Sequence, residues 1–220
     1  ALSYADSGAT LAAGGINGLV RIHTLGEGIA RSLNGGAPTH QYLAFLSDTR
    51  LAAVSDSGAV MVLTVAGQNM GESRQIEGLG GLALTLDVSR DGRLLAAGNE
   101  RGDIAIWDAR SFELQRTLRG LGGPVYALAF NRDGSRIAAV TNQPADLPKV
   151  MVWDVASGDA LATFSGHTAP ITAIEMPAGA GLVASASSDG SLRIWEADSG
   201  EEVRSLVAPI EEGWYSSLAF

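Results

Sequence analysis

The 220-residue chain has no cysteine, a single lysine (Lys149), and aromatic residues at only 6% of the sequence. Without cysteine there can be no disulfide, no thiol nucleophile and no cysteine-based metal site, while the cellular compartment stays open. No apolar run approaches the ~20 residues that a membrane-spanning helix requires. The sequence therefore predicts no insertion into a membrane.

Basic residues are also scarce: 15 lysines and arginines face 24 acidic residues, for a formal net charge of −9. Such a surface repels phosphate backbones unless a local basic patch overrides the total charge. Since the arginines are scattered along the sequence, we expect no nucleic-acid partner.

Hydrophobic residues make up 46% of the chain, enough for a globular core. Arginine in place of lysine, with frequent alanine and glycine, favours a GC-rich, bacterial source.

Short apolar runs separated by turn residues make up the chain, most clearly between Phe164 and Glu196. Asp189-Gly190 is the sharpest turn signal in this stretch, and none of the runs beside it has the period of a helix. Gly166-His167 stands near the start and Trp195-Glu196 at the end. These pairs resemble the Gly-His and Trp-Asp marks of the WD-repeat β-propeller family.

The position of Trp195 recurs along the chain with a period typical of a propeller. Its equivalents are His23, Leu63, Trp107 and Trp153, and the five positions including Trp195 are separated by 40, 44, 46 and 42 residues. The resemblance implies four strands in each repeat of about 40–45 residues. We therefore predict an all-β fold, a β-propeller with five visible blades, each a four-stranded antiparallel sheet.

The predicted units span residues 1–36, 37–80, 81–122, 123–166 and 167–209 of a single propeller segment. In the third unit the expected strands are Ala83–Ser89, Leu94–Asn99, Ile104–Ala109 and Leu114–Arg119. In the fourth they are Val125–Asn131, Arg136–Thr141, Val150–Val155 and Ala160–Phe164. The second strands are apolar on both faces, which indicates sheets packed between neighbouring sheets.

The ends of the chain carry one strand more than five blades need. Residues 1–4 match the end of an inner strand, and residues 214–220 predict another, because Leu218-Ala219-Phe220 matches Leu128-Ala129-Phe130. The chain also starts at Ala1 rather than at a methionine. We expect a segment of a larger ring, about seven-bladed in the family it resembles, with other blades or domains in the same longer chain. Alternatively, the last strand completes the first blade.

Each fully formed blade of this family contains a buried hydrogen-bond chain of His, Ser or Thr, Asp and Trp. The resemblance implies the whole set only in the fifth unit, as His167, Ser185 or Ser187, Asp189 and Trp195. A buried indole N–H needs a partner, and a satisfied polar network fixes one packing arrangement. Leu79 and Leu121 stand at the His position of the third and fourth units, and Arg101 replaces the Asp of the third.

His167, Ser185 and Asp189 are also the residue types of a nucleophilic triad. Trp195 and the repeat context explain every member, so we interpret the set as a structural network. The other histidines, His23 and His40, have no carboxylate at metal-ligand spacing.

An enzyme with chemistry in the central channel would need ionisable side chains on its inner strands. The inner strands at Tyr126–Phe130 and Ile171–Ile174 offer none. The sequence thus predicts no catalytic residue, no metal and no cofactor, and a protein that is not an enzyme.

Binding on a propeller is expected in the loops at one mouth of the ring rather than in the blades. In the family, the loops before the inner strand and those between the second and third strands share this face and receive peptides. The candidate partner-binding residues are Trp214, Tyr215, Arg101, His40 and Glu212. Trp214 is the strongest candidate because Trp, Tyr and Arg dominate binding hot spots, although it could instead pack between blades.

The insertion at residues 142–148 is either a specific contact with a partner or a tolerated surface change.

The function that these features indicate is a non-catalytic protein-interaction scaffold that binds peptide segments or protein surfaces through its loops. The alternative is a sensor or regulatory propeller attached to an enzyme or signalling domain outside these 220 residues.

Overall fold

A computed structural model of the chain describes residues 2–5, 7–14, 19–24, 30–34, 40–55, 57–68, 70–143, 147–177 and 181–207. These residues form β-strands joined by turns and loops. Within these ranges no helix is long and apolar enough to cross a membrane.

The strands form five antiparallel sheets, each made of four strands that are consecutive in the sequence. Sheet 1 contains β1 (Leu2–Tyr4), β2 (Thr10–Gly14), β3 (Leu19–Thr24) and β4 (Ala30–Asn34). Sheet 2 contains β5 (His40–Ser47), β6 (Arg50–Ser55), β7 (Val60–Thr64) and β8 (Ser73–Ile76). Sheet 3 contains β9 (Ala83–Val88), β10 (Leu94–Asn99), β11 (Ile104–Asp108) and β12 (Leu114–Leu118).

Sheet 4 contains β13 (Ala127–Phe130), β14 (Arg136–Thr141), β15 (Lys149–Asp154) and β16 (Ala160–Phe164). Sheet 5 contains β17 (Ile171–Glu175), β18 (Leu182–Ser187), β19 (Ser191–Glu196) and β20 (Glu202–Val207). The predicted all-β fold of five four-stranded sheets is confirmed. The strands predicted for the third and fourth units agree with sheets 3 and 4 to within two residues at each end.

Asp-Gly turns reverse the chain between the first and second strands of sheets 3 and 4. Gly92 and Gly134 have φ angles of 67° and 71°, a left-handed conformation that glycine adopts without steric cost. In the first of these turns, Asp91 Oδ1 accepts hydrogen bonds from Ser89 Oγ (2.7 Å) and Arg93 N (3.0 Å). The turn chemistry read from the sequence therefore places the strand ends.

The core lies in four apolar layers, one between each pair of successive sheets. Representative pairs across these layers are Leu33 with Leu43, Ile76 with Leu86, Leu118 with Leu128, and Phe164 with Ile174. The second strands are buried on both faces, as expected of sheets sandwiched between neighbours.

The first strands of the five sheets lie side by side along one edge of the assembly, and we call them the inner strands. Contacts join β1 to β5, β5 to β9, β9 to β13, and β13 to β17. No comparable contact joins sheet 5 to sheet 1 among the residues that the structure describes. The sheets therefore form an arc. Because β1 supplies an inner strand to sheet 1, that sheet does not need residues 214–220 to complete it, and these residues lie outside the described ranges.

One expectation about the inner strands is wrong. Strand β9 carries Asp87, and β17 continues past Ile174 to include Glu175. These carboxylates occupy the same register position, opposite Ala96 and Ala184. For β17, the sequence pattern ended the strand at its last apolar residue, Ile174, whereas backbone pairing continues to Glu175. Asp87 already lay inside the strand expected at Ala83–Ser89, but the expectation considered only the inner strands of sheets 4 and 5.

Candidate functional site

Four side chains of sheet 5 and its loops form a continuous hydrogen-bond chain. Trp195 Nε1 on β19 donates to Ser185 Oγ on β18 at 2.9 Å. Ser185 Oγ lies 2.8 Å from His167 Nε2, and His167 Nδ1 lies 2.9 Å from Asp189 Oδ2. The loop before β17 thus places the histidine between the second strand and the turn that follows it.

Two neighbouring serines have different roles. Ser187 Oγ donates to the carbonyl of Ala169 (2.7 Å) and accepts from Asp189 N (3.1 Å), so it holds the loop and not the indole. Ser191, which the sequence interpretation missed, lies next to this hydrogen-bond chain and donates from Oγ to Asp189 Oδ1 at 2.6 Å. Its only sequence signal is its place in the Ser-Asp-Gly-Ser turn.

The protonation states follow from burial and hydrogen bonding. Burial lowers the pKa of His167, although the Asp189 carboxylate opposes this shift. Burial alone would raise the pKa of Asp189, but hydrogen bonds from Ser191, Thr168 N and His167 hold it well below its usual range. A neutral His167 can then donate from Nδ1 to Asp189 and accept the Ser185 hydroxyl proton at Nε2.

The same connectivity, from hydroxyl to imidazole to carboxylate, occurs in nucleophilic triads. Here the side chains of Ser185 and His167 are 0% and 1% exposed. A substrate carbonyl would have to reach an oxygen that already accepts the Trp195 N–H. The geometry therefore satisfies buried polar groups and leaves no room for a substrate. Across the described part of the chain, no group of three His, Asp or Glu side chains is placed to hold a metal ion.

The glycine of the Gly-His pair is explained by close packing. A Cβ atom on Gly166 would lie 2.8 Å from Trp195 Cη2 and 2.9 Å from Arg193 Nη1. The indole ring also stacks on Phe164, with centroids 5.2 Å apart. Any larger residue at position 166 would force the indole ring and the Arg193 side chain to shift.

Sheets 3 and 4 satisfy their tryptophans differently. The register places Ala97 and Ala139 where Ser185 stands in sheet 5. Trp107 Nε1 donates instead to the carbonyl of Glu77 (2.8 Å), and Trp153 Nε1 to that of Arg119 (3.3 Å). Both carbonyls belong to loops that lead out of the preceding sheet. Leu79 and Leu121, at the His position, are buried.

The loops before the inner strands and those after the second strands meet at one end of the arc, which we call the loop face. Hydrogen bonds tie the loops together across sheet boundaries. Ala83 N donates to the carbonyl of Gly58 (2.9 Å), and Val125 N to that of Asn99 (3.0 Å). Ile171 N donates to Asn142 Oδ1 (2.9 Å). These contacts fix the loops relative to one another.

Among the predicted partner-binding residues, Arg101 lies on the loop face with its side chain 68% exposed. Its guanidinium forms an ion pair with Glu100 (3.3 Å) and donates to the carbonyl of Gly80 (3.2 Å). His40 is the first residue of β5, but its side chain lies outside the described part of the structure. The remaining candidates, Trp214, Tyr215 and Glu212, also lie outside the described residues.

Two exposed apolar residues at the loop-face ends of inner strands escaped the sequence interpretation. Leu82 and Tyr126 directly precede β9 and β13 and are 52% and 44% exposed. Leu82 N donates to Glu100 Oε2, next to Arg101, and Tyr42 Oη lies 3.5 Å from the carbonyl of Tyr126. We call Leu82, Arg101 and Tyr126 the loop-face patch. The signal in the sequence is a large apolar residue closely following a glycine cluster.

The opposite end, which carries the turns into the second and fourth strands, gathers several arginines that are scattered in the sequence. These arginines are Arg50, Arg90, Arg93, Arg110, Arg132 and Arg136. Acidic residues alternate with them: Arg93 pairs with Asp91 (3.4 Å) and Arg136 with Asp198 (2.7 Å). Three open cavities of about 560, 510 and 440 Å³ lie between these turns. The end is mixed in charge and is not a basic face.

Comparisons with known proteins agree with this description. Residues 158–196 match the family model described as "WD domain, G-beta repeat". This stretch includes the complete hydrogen-bond chain from His167 to Trp195. The chain is also 35% identical over 75 residues to Periodic tryptophan protein 2 of Arabidopsis thaliana, an alignment that covers 34% of this chain and 8% of that protein. A plant relative gives no support to the expected bacterial source.

A chain in the solved structure "Crystal Structure of Mitotic Checkpoint Complex" has the same fold, with a TM-score of 0.83 at 22% identity. The match covers 98% of this chain and 66% of that one. The chain thus spans less than two thirds of the length of both proteins. Together, the matched repeat, the related sequence and the shared fold confirm the resemblance of this chain to the WD-repeat β-propeller family.

Proposed function

We propose that this chain is a non-catalytic interaction scaffold that binds peptide segments or protein surfaces at its loop face. Propellers of the WD-repeat type typically serve as platforms for protein interactions, and the matched repeat and the shared fold support the same role for this chain. The observation that carries the proposal is the loop-face patch, where Leu82, Arg101 and Tyr126 stand exposed on loops that hydrogen bonds hold in place.

The chemistry of the patch suits an extended peptide. Leu82 and Tyr126 offer apolar surface for a side chain, and Arg101 offers donors for a carboxylate or a backbone carbonyl. Little ordering is needed on binding, because the loops are already tied to each other. Leu147, exposed in the 142–148 insertion, would add a second apolar contact on sheet 4. His40, Glu212, Trp214 and Tyr215 remain predicted contacts of the same partner.

The burial of Ser185 and His167 supports the non-catalytic part of the proposal, since the triad-like set has no access to a substrate. The mixed charge of the opposite end and the net charge of −9 support the inference that nucleic acid is not the partner.

A displayed library of random peptides, selected against the immobilised full chain, tests the proposal. The triple variant Leu82→Ser, Arg101→Ala, Tyr126→Ala should bind the enriched peptides at least about tenfold more weakly, as expected when hot-spot side chains are removed. The matched control, Arg90→Ala with Arg132→Ala at the opposite end, should bind them as the wild type does. Failure to enrich any peptide, or equal binding by the triple variant, would contradict the proposal.

A second candidate is a sensor or regulatory propeller attached to further domains. It is favoured by the lengths of the relatives, because the alignment covers only 8% of the plant protein. The intact mass of the native protein distinguishes the two candidates. A mass near 22.7 kDa would leave no room for an attached domain, whereas a much larger mass would support it.

A further inference from the structure

The turn between the third and fourth strands of sheet 3 contains a strained residue. Phe112 has a φ angle of 62° and is the one non-glycine residue with a positive φ in the described part of the chain. The equivalent residues in sheets 4 and 5 are Gly158 and Gly200, at 81° and 75°. In all three turns this residue donates its backbone N–H to the carbonyl four positions earlier. The ring of Phe112 therefore stands where glycine forms the same turn without steric cost.

Two arginines of sheet 2 contact this ring. Arg50 Cζ lies 5.5 Å and Arg74 Cζ 5.7 Å from the ring centroid of Phe112. The ring itself is half-buried against the apolar layer between sheets 2 and 3, and this packing offsets the strain. A cation–π contact engages the charge of a guanidinium but none of its five N–H donors. Both arginines are thus held in place without the use of those donors.

The next pair of sheets shows what an arginine does when the turn contains glycine. Arg116 on β12 occupies the same register position as Arg74 on β8. Its guanidinium donates to the carbonyl of Ser157 (2.7 Å) and to that of the residue before it, in the turn that contains Gly158. A Cβ atom on Gly158 would lie 2.9 Å from Arg116 Cδ. Glycine therefore gives the arginine room to reach the carbonyls of the turn.

The arginines of sheet 2 lack such acceptors. Arg74 forms no hydrogen bond or ion pair with a described residue, and its one contact of this kind is with the ring. Arg50 donates once, from Nη1 to the carbonyl of Arg110 at 3.4 Å, and has no ion pair within the described ranges. Both side chains are exposed. Two positive charges thus lie beside one ring with most of their donors free of described partners.

Arg50 also lines an open cavity of about 560 Å³ between the turns of sheets 2 and 3. The carboxylates that line it are Asp48 and Asp91, and Asp91 pairs with Arg93 at 3.4 Å. Asp48 and Glu113, which is in the same turn as the ring, are exposed and form no ion pair within the described ranges. An anion can therefore approach on the side of the arginines, and these two carboxylates limit which anions fit.

From these observations we propose that Arg50 and Arg74 bind the carboxylates of an acidic segment of a protein partner, at the end of the arc opposite the loop face. Phe112 keeps the two guanidinium groups available, because it replaces the glycine that would let an arginine turn to the backbone. A guanidinium binds a carboxylate through two parallel N–H donors. Since both groups lie within 5.7 Å of one ring centroid, carboxylates a few residues apart in an extended segment reach both. The site is separate from the loop-face patch.

Fluorescence anisotropy with a labelled hexaglutamate peptide, titrated with the full chain at low salt, tests the proposal. The double variant Arg50→Gln, Arg74→Gln should bind the peptide at least about tenfold more weakly, as expected for loss of hydrogen bonds between charged groups. The matched control Arg90→Gln, Arg132→Gln removes the same charge at the same end and should change binding by less than about twofold. The triple variant of the loop-face patch should bind as the wild type does.

Phe112→Gly separates the role of the ring from that of charge alone. It restores the residue of the other two turns and relieves the strain, so the variant should stay folded by circular dichroism. Because Arg74 can then reach the carbonyls of its turn, binding of hexaglutamate should fall at least about fivefold. Asp48→Asn, which removes the opposing carboxylate, should strengthen binding about twofold.

Four results would overturn the proposal. The first is a wild-type chain that does not bind hexaglutamate at low salt. The second is an equal loss of affinity in the double variant and its matched control, and the third is a folded Phe112→Gly variant that binds as the wild type does. The fourth is a phosphoserine peptide or an oligonucleotide of matching charge that binds more tightly than hexaglutamate, since phosphate and not carboxylate would then be the anion recognised.

Discussion

Trp195 donates its indole N–H to Ser185 Oγ at 2.9 Å, within a single sheet. At the same position in the two preceding sheets, the indoles of Trp107 and Trp153 donate to backbone carbonyls of the loop that leads out of the neighbouring sheet. A buried indole is thus satisfied in two ways in one chain. Hydrogen bonding of the indole to a side chain requires a histidine, a serine and an aspartate in the same sheet, whereas hydrogen bonding to a backbone carbonyl requires none of them.

Ser185→Ala should lower the free energy of unfolding by about 1–3 kcal/mol, because it leaves buried polar atoms of Trp195 and His167 without a partner. Urea denaturation followed by tryptophan fluorescence measures the change. Ser205→Ala on β20, where the side chain is exposed, is the control and should stay within about 0.5 kcal/mol of the wild type. Equal losses in the two variants would argue against the network.

The effects of His167→Leu and Ser185→Ala should not add. Each single change leaves a buried partner without its hydrogen bond. The double variant removes both sides of the 2.8 Å contact between Ser185 and His167, and so approaches the arrangement of Leu79 with Ala97 in sheet 3. We expect an interaction energy of about 0.5–3 kcal/mol in the direction that makes the double variant more stable than the sum predicts. Additive losses in the same denaturation assay would contradict this coupling.

Gly166→Ala should destabilise the fold by about 1–3 kcal/mol, the usual cost of forcing an extra methyl group into a packed site. The new Cβ would lie 2.8 Å from the ring of Trp195. Thermal unfolding and the near-ultraviolet circular dichroism of the indole report the change. The neighbouring Ser165→Ala, at an exposed position, provides the matched control. A normal indole signal and unchanged stability in the glycine variant would show that the site accommodates the methyl group without displacing the ring.

Asp87→Asn should make stability less dependent on pH. Burial raises the pKa of Asp87 to about 7, and the negative charge of Glu175 adds to this shift. An unfolded aspartate ionises near pH ~3.9. Between these values the folded chain holds more protons, so its stability falls as pH rises through the window.

Asparagine cannot ionise and still offers an oxygen to Phe130 N. The difference in melting temperature between Asp87→Asn and the wild type should therefore grow in favour of the variant from about pH 5 to about pH 8. Asp91→Asn, in the exposed turn nearby, serves as the control, because hydrogen bonding from Ser89 and Arg93 lowers the pKa of that carboxyl despite its partial desolvation. Its effect should not vary across this range. A constant difference for Asp87→Asn would mean that its carboxyl titrates as in the unfolded chain.

The strands and their grouping into sheets could be predicted from the sequence, since alternating or continuous apolar runs bounded by Asp-Gly turns leave few other arrangements of the backbone. It also supplied the residue types of the sheet 5 network. It could not choose between Ser185 and Ser187, because residues two apart on a strand point to the same face. Only the position of the loop that carries His167 made that choice.

Contacts between segments distant in the sequence depend instead on how the sheets pack against one another. Leu82, Arg101 and Tyr126 lie at the same end of the arc because loops from successive sheets meet there. Asp87 reaches Phe130 because inner strands of neighbouring sheets lie side by side. Periodicity specifies which face of its own strand a side chain occupies, but the identity of its neighbour on another sheet depends on how the sheets stack.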